Sequence, residues 1–401
     1  VRRQNAAAEK YRRELAGRRR WRAWLLQLHL WVGIALCPPF VMLGVTGSVL
    51  VYAHELEALF AGRKPAAFGT TQPASAIIEA AQSVAGDGMV PSLFLPAGEP
   101  GEHAFVRLTR PGEAGPPRAG LQVQVDPVSL EAMVREPGSG VLRQMTRLHA
   151  NLLIPGRVGR QIIGWFGVAM LVLGVSGLVL WWPKRGRWRA AFLVKQGAGR
   201  LRLLRDLHGA VGIWTLPVFL VVTFSGVFLA FPQSTGAVIA SVFPARELRA
   251  AIFSARAEPR DEAERIGIDR AIELARAAIP DGRLVSAALP VRPEQPYRVG
   301  LRPAGYAEGG PIAWVLVDPW SARVLEVLHP RDYTTGETIM AWQHGLHEGA
   351  GLGPIWRGLV FISGFLPPLF VVTGSWMWLL KTRARRAAGR HRAAALAEAA
   401  D

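Results

Sequence analysis

Apolar residues in this chain gather into four long blocks instead of alternating with polar ones. The blocks run over about residues 25–52, 162–182, 207–231 and 359–380. Each reaches the roughly 20 residues that an apolar helix needs to cross a bilayer. Polar segments of domain size separate the first block from the second and the third from the fourth. Inside these segments the period changes. Helical spacing of apolar residues covers Ala74–Val84 and Ile268–Ala278, and two-residue alternation predicts strands over His103–Leu108 and Arg298–Leu301. Each segment then reaches a turn, Val125-Asp126-Pro127 or Val317-Asp318-Pro319, in which proline presets φ and aspartate bonds the onward backbone. A helix followed by an antiparallel meander makes a compact α+β unit.

The blocks are copies of one another. The first contains Leu28-His29 and the third Leu207-His208, each followed after nine residues by Pro38 or Pro217 and after seventeen by Thr46-Gly47 or Ser225-Gly226. Leu148-His149 and Leu346-His347 each lie 33 residues before the last apolar residue of the second and fourth blocks. Ser176-Gly177 and Thr373-Gly374 supply the hydroxyl–glycine pair there. The chain reads as a membrane α-helical protein with four transmembrane helices in two parallel repeats about the membrane normal, each a span, an α+β domain and a span.

Charge orients this layout. The 401-residue chain carries a formal net charge of +17. Residues 1–24 hold nine Lys and Arg against two acids, residues 184–206 eight against one, and residues 381–401 six against two. The large polar segments are balanced, with eight basic and ten acidic residues in 54–148 and thirteen and fourteen in 232–346. Positive loops stay in the cytoplasm, so both α+β domains face outward and both termini inward. The basic total is no nucleic-acid footprint, because neither domain has a basic surplus. A single cysteine, Cys37, excludes a disulfide framework, a thiolate zinc site and a four-cysteine iron–sulfur cluster. The first block is too long for a cleavable signal peptide.

The predicted order is a cytoplasmic tail 1–24, a first span 25–52, an outer domain 53–144, and an interfacial helix plus second span 145–182. A cytoplasmic loop 183–206, a third span 207–231, an outer domain 232–342, an interfacial segment plus fourth span 343–380 and a tail 381–401 complete it.

The succession Leu-His, Thr-Gly, an outer unit ending in Val-Asp-Pro, then Leu-His, Gly-Arg, Ser-Gly and Trp-Trp-Pro resembles the PepSY-associated transmembrane family over about residues 20–385. That resemblance implies PepSY-like outer domains and a place in the bacterial cytoplasmic (inner) membrane. Members include FoxB-like ferrisiderophore reductases with two b-type haems in a four-helix membrane domain. The resemblance therefore implies two haem b groups, electron transfer across the bilayer, and reduction of an external ferric siderophore or Fe(III) chelate by a membrane oxidoreductase. The other role associated with PepSY domains is a haem-free membrane-anchored module that binds peptides or regulates a peptidase.

A b haem takes two imidazole ligands that face each other from different helices at similar depth. Of nine histidines, His29, His208, His149 and His347 occupy repeat-equivalent places. His29 and His208 lie about one turn inside the cytoplasmic ends of their spans. A continuous 33-residue helix from His149 or His347 would be about 50 Å long, more than one crossing needs. Pro155-Gly156 and Gly353-Pro354 therefore predict breaks, leaving these two histidines on short interfacial helices. Depth pairs His29 with His208 and His149 with His347 as ligands of haem iron.

His344, one turn before His347, and His54 are alternative outer ligands, while His103, His329 and His391 read as surface residues. Arg157, Arg160 and Arg357 near the outer surface suit haem propionates or lipid headgroups. Gly47, Gly177, Gly226 and Gly374 admit a close helix or a flat macrocycle. Pro38-Pro39, Pro217 and Pro367-Pro368 predict kinks. No GxGxxG unit, Walker loop or HExxH motif is present in the sequence, so electrons are expected from a separate flavoprotein or from quinol. Reporter fusions at residues 100 and 300 are expected to read as outside, and fusions at 195 and 395 as cytoplasmic. An inside signal from either domain overturns the orientation.

Overall fold

The computed structural model describes residues 20–60, 65–110, 120–135, 140–197, 199–246, 248–260 and 264–398. Most of the expected tail 1–24 lies outside the described residues. The chain begins with helices α1 (Arg20–Ala35), α2 (Cys37–Val51), α3 (Ala53–Phe60) and α4 (Ala74–Ala85). Strands β1 (Val90–Leu95), β2 (Ala104–Thr109), β3 (Leu121–Val125) and β4 (Ala132–Arg135) follow. Helices α5 (Val141–Asn151), α6 (Val158–Trp181), α7 (Trp188–Ala191), α8 (Arg200–Ala230), α9 (Pro232–Val242), α10 (Leu248–Ser254) and α11 (Ile268–Ala278) lead to the second set of strands. These are β5 (Arg283–Ala288), β6 (Tyr297–Arg302), β7 (Ala313–Val317) and β8 (Val324–Leu328), before α12 (Thr335–Glu348), α13 (Gly353–Ser363) and α14 (Leu366–Glu398). The elements divide into a helical unit, Val1–Ala53, Gln144–Pro232 and Leu346–Asp401, and a sheet unit, His54–Arg143 and Gln233–Gly345.

In the helical unit, α6, α8 and the stretch Gly353–Ala393 are each long and apolar enough to cross a membrane, and the bent pair α1–α2 makes a fourth if it counts as one span. The 65° bend sits at Pro38-Pro39, where two missing N–H donors and two rings disrupt the helix. The kink expected at Pro217 is not a break, since α8 runs through it without interruption. Packing against neighbouring spans lets a membrane helix keep a proline. Pro367 and Pro368 stand in the first turn of α14, just after the chain breaks from α13.

The breaks expected before the second and fourth spans are present, between Asn151 and Val158 and between Glu348 and Gly353. Helix ends depart from the expected boundaries. Helix α8 starts at Arg200 instead of residue 207, and α14 continues past residue 380 to Glu398. Arginine, alanine and lysine favour helix in water as well as in lipid, so the apolar stretch marks the membrane and not the helix.

Helix α6 packs on α8, α8 on α14, and α13 and α14 on α2. At the last crossing backbones touch: a Cβ on Gly44 or on Gly364 would run into the carbonyl of the other. Ser48 Oγ donates to the Phe361 carbonyl there at 2.6 Å. Only 11% of the apolar stretch of α6 is buried within the protein, and Trp165, Trp214 and Ile355 are widely exposed. Apolar surface of this extent belongs in lipid.

The sheet unit corrects one expectation. Two separate α+β domains were expected, but the strands form one eight-stranded sheet in the order β4-β3-β2-β1-β5-β6-β7-β8. Strands β1 and β5 join the copies antiparallel through Leu93↔Ala288 and Phe94↔Ala287. Alone, each four-stranded copy would leave its first strand as an open edge of unpaired N–H and C=O groups, and pairing the equivalent edges removes both. One face is covered by α4 through Ala74, Ile77, Ile78 and Ala81, and by α11 through Ile268, Ala271, Ile272 and Ala275. Both sets follow the i, i+3, i+4, i+7 rule of a buried helix stripe.

The copies agree in detail. Each has a register shift at the same place, Pro91/Leu93 and Leu284/Ser286. In the turn after each third strand, Asp126 Oδ1 accepts from Val128 N at 2.9 Å and Asp318 Oδ1 from Trp320 N at 2.9 Å. A non-glycine residue with positive φ then closes each turn, Leu130 at 63° and Ala322 at 55°.

Helix α12 is anchored by Glu337, whose side chain is fully buried. Its carboxylate accepts the Thr334 N–H at 2.9 Å, the Arg246 N–H at 2.9 Å and Arg246 Nε at 2.7 Å. The Arg246 side-chain bond outweighs burial and holds the Glu337 carboxyl down at about 2. A carboxyl held below its ordinary value of 4.5 stabilises the fold above that pH and loses its contribution as pH falls towards 2. Glu337→Gln is expected to cost about 1–3 kcal/mol, as lost charge-assisted hydrogen bonds do. Thermal melts between pH 4.5 and 2 should show a shallower acid loss in the variant, and equal slopes would refute the assignment.

Candidate functional site: two histidine pairs and their hydroxyl partners

Each span contributes to the interior of the helical unit a hydroxyl–glycine pair that receives an imidazole: Thr46-Gly47, Ser176-Gly177, Ser225-Gly226 or Thr373-Gly374. His29 on α1 places Nδ1 2.8 Å from Ser176 Oγ on α6. His208 on α8 places Nδ1 2.8 Å from Thr373 Oγ1 on α14. His149 on α5 lies 2.9 Å from Thr46 Oγ1 on α2. His347 on α12 lies 3.2 Å from Ser225 Oγ and 3.0 Å from the Val222 carbonyl, both on α8. Each contact stays inside its own repeat, two in the first and two in the second.

The hydroxyls favour one ring nitrogen as the carrier of the proton. Thr46 donates to the Met42 carbonyl at 2.6 Å, Thr373 to Leu369 at 2.8 Å, Ser225 to Val222 at 2.9 Å and Ser176 to Leu173 at 3.2 Å. A hydroxyl has one proton to give. With that proton on its own helix, the oxygen accepts from Nδ1–H, and the lone pair of each imidazole is on Nε2. The Val222 carbonyl is an acceptor only, so His347 reaches the same state independently.

The imidazoles then meet across the repeats. The ring centroids of His29 and His208 are 6.4 Å apart and those of His149 and His347 6.1 Å apart. His208 and Ser225 lie seventeen residues apart on α8, so the two levels are separated by about 25 Å at 1.5 Å per residue. That is most of the hydrocarbon thickness of a bilayer.

Glycine makes room beside each ring. A Cβ on Gly226 would stand 2.9 Å from His347 Cε1 and on Gly47 3.1 Å from His149 Cε1. On Gly177 it would stand 3.4 Å from His29 Cε1, and on Gly374 3.7 Å from His208 Cε1.

Other candidates stand elsewhere. His344 is exposed on α12, and His54 is exposed with Nε2 3.7 Å from Glu102 Oε1. His329 caps a short helix by accepting from Arg331 N. Arg157 and Arg160 are exposed at the start of α6. The Arg357 guanidinium closes the end of α2, with Nη2 2.8 Å from the Val51 carbonyl and its carbon 4.5 Å above the Tyr52 ring. The sequence assigned the glycines of these pairs to a close helix or a flat macrocycle and did not reveal the hydroxyls as imidazole partners. Their recurrence once per span at matched spacing was the available signal.

The donor set fits a haem. Two metal–nitrogen bonds of about 2 Å each plus two half-rings add to roughly 6 Å between centroids, the separation of both pairs. No group of three or more His, Cys, Asp or Glu among the described residues could hold a metal ion. A site of two imidazoles leaves a metal's other positions to a ligand such as a planar macrocycle, and a neutral imidazole nitrogen is the donor such a metal takes.

The family described as PepSY-associated TM region matches residues 26–381. An uncharacterized protein of Pseudomonas aeruginosa, PA4219, is 37% identical over 82 residues, 20% of this chain and 20% of its own length. The chain thus spans about a fifth of the curated relative it matches.

The graded clearances make a prediction. Gly226→Ala should displace the His347 ring, shifting its imidazole signals in ¹⁵N-histidine NMR and lowering the melting temperature. Gly374→Ala, with ordinary contact distance to His208, should leave both unchanged. Equal effects from the two variants would show that the glycines do not set ring position.

Proposed function

Because the chain belongs to the PepSY-associated transmembrane family, we propose that it is a di-haem b membrane protein that carries electrons outward. In this reading a cytoplasmic flavoprotein or the quinol pool supplies the electrons, and an external ferric siderophore or other Fe(III) chelate accepts them. The protein is then a ferric reductase of the bacterial inner membrane with both termini in the cytoplasm. What supports the reading is the pair of imidazole pairs, each drawing one histidine from each repeat, with ring centroids 6.4 and 6.1 Å apart, a separation at which one metal ion could take a nitrogen from each ring.

Bound haem would supply reversible one-electron chemistry at iron. The chain's own part is positional. Ser176, Thr373, Thr46 and Ser225 hold the four rings in one tautomer, and such partners tune a metal site through ligand basicity. The glycines keep the space beside each ring clear. Apolar spans exclude water from both levels. Arg157 and Arg160, exposed at the head of α6, would meet carboxylates of a bound group. For the substrate, reduction weakens the grip of hard oxygen ligands, since Fe(II) is a poorer Lewis acid than Fe(III).

The purified protein should show a reduced α band and a pyridine haemochrome ratio of about two haems per chain, because each b haem takes two histidines. His29→Ala and His208→Ala should each remove the same haem, and His149→Ala and His347→Ala the other. A colourless protein would favour the haem-free peptide-binding module. If the reduced di-haem protein is not oxidised by any ferric chelate, the cytochrome stands and the reductase assignment falls.

A further inference from the structure

The face of the sheet turned away from α4 and α11 carries a groove of about 1140 Å³ at the junction of the two copies. Strand register defines its floor. Arg107 pairs with Leu93, Leu93 with Ala288, and Ala288 with Arg298. These four residues form one row across β2, β1, β5 and β6. The neighbouring row, Val106, Phe94, Ala287 and Val299, lies in the core under the helices, so the Arg107–Arg298 row faces the other way. Three strand spacings of about 4.8 Å put the two arginine positions about 14 Å apart with an apolar floor between them.

The walls suit an anion with an aromatic body. Among the described residues, four arginines line the groove, Arg107, Arg110, Arg292 and Arg298, against one carboxylate, Asp87. Phe253 and Trp314 supply ring surface. The Arg298 guanidinium lies 4.7 Å above the Phe253 ring, so the groove already holds a cation against an aromatic face. Burial, and then the nearby Arg256, lower the Arg298 guanidinium below the usual arginine range, a repulsion that an incoming anion relieves. The groove's size matches pockets that enclose an organic ligand.

We propose that this groove is a binding site for an organic anion with an aromatic body, seated on Leu93 and Ala288 and clamped from both sides by Arg107 and Arg298. The site is independent of haem and goes beyond the electron-transfer reading.

The test uses the full chain in nanodiscs of zwitterionic lipid and two redox-inert probes of similar size. Gallium(III) tris-catecholate is anionic, and gallium(III) tris-benzohydroxamate is neutral. Titration calorimetry should show saturable binding of the anionic chelate and much weaker binding of the neutral one. Arg107→Gln and Arg298→Gln should each weaken the anionic chelate about tenfold or more, the effect of losing one charge-assisted contact. Arg298→Lys should retain most of the affinity. Leu93→Asp, which sets a carboxylate between the arginines without removing either, should abolish binding, and it keeps the test decisive if Arg298→Gln does not fold. Absence of saturable binding to the unaltered protein, equal affinity for both chelates, or unchanged binding in Arg107→Gln and Leu93→Asp would each overturn the proposal. Because gallium is not reduced, none of these outcomes depends on electron transfer, and haem content measured on the same samples reports separately on that reading.

Discussion

An imidazole carried into an apolar helix bundle brings an N–H group that must find an acceptor, because an unmet polar group costs several kcal/mol away from water. The helical unit is organised around four such N–H groups. Each is met by a serine or threonine whose own proton is already spent on its helix. This arrangement ties ring orientation to tautomer, and it gives Thr46-Gly47, Ser176-Gly177, Ser225-Gly226 and Thr373-Gly374 a shared role. The hydroxyl serves the ring's Nδ1, and the glycine keeps the backbone out of the ring's way. Removing the hydroxyl, or the glycine where the ring stands closest, would leave the histidine chemically present but pointed wrongly.

Two kinds of contact divide the labour between the repeats. Hydroxyl–imidazole bonds join elements within a repeat, whereas imidazole–imidazole approaches join one repeat to the other. Each half-site is therefore complete in its positioning, and its imidazole meets a counterpart only across the repeats. The sheet unit obeys the same rule in backbone terms. Each four-stranded copy has its own helix, turn and bulge, and lacks only a partner for its first strand. In both units the duplicated sequence builds a finished half whose remaining valence is satisfied by its own copy.

Much of this was legible from the chain because helices convert sequence spacing into height. The positions of His29, His208, His149 and His347 gave two levels, and Pro155-Gly156 and Gly353-Pro354 marked where the helices had to stop. The stripe Ala74, Ile77, Ile78, Ala81 and its copy announced the buried faces of α4 and α11. The hydroxyl partners were not legible in the same way. Thr46 is a bilayer's height from His29 on its own span, and its true partner, His149, is over a hundred residues away. Edge pairing of β1 with β5 was equally hidden, because the register of a long-range pair depends on bulges at Pro91/Leu93 and Leu284/Ser286 that no local period announces. Helix ends such as Arg200 and Glu398 escaped because hydropathy reports lipid and not hydrogen bonding.

The joining of β1 to β5 has a consequence for how the protein is made. Leu93 and its partner Ala288 are separated by nearly two hundred residues that include two spans. At about 5–20 residues per second, the first copy exists for roughly 10–40 seconds with its edge strand exposed. Such an edge invites pairing with the wrong chain. Strand β1 is fitted for this interval: Pro91 lacks an N–H to offer, and the adjoining register shift bends the strand out of a flat template. The irregularity at Pro91 thus guards the nascent chain during synthesis, a period that ends when β5 emerges and closes the sheet.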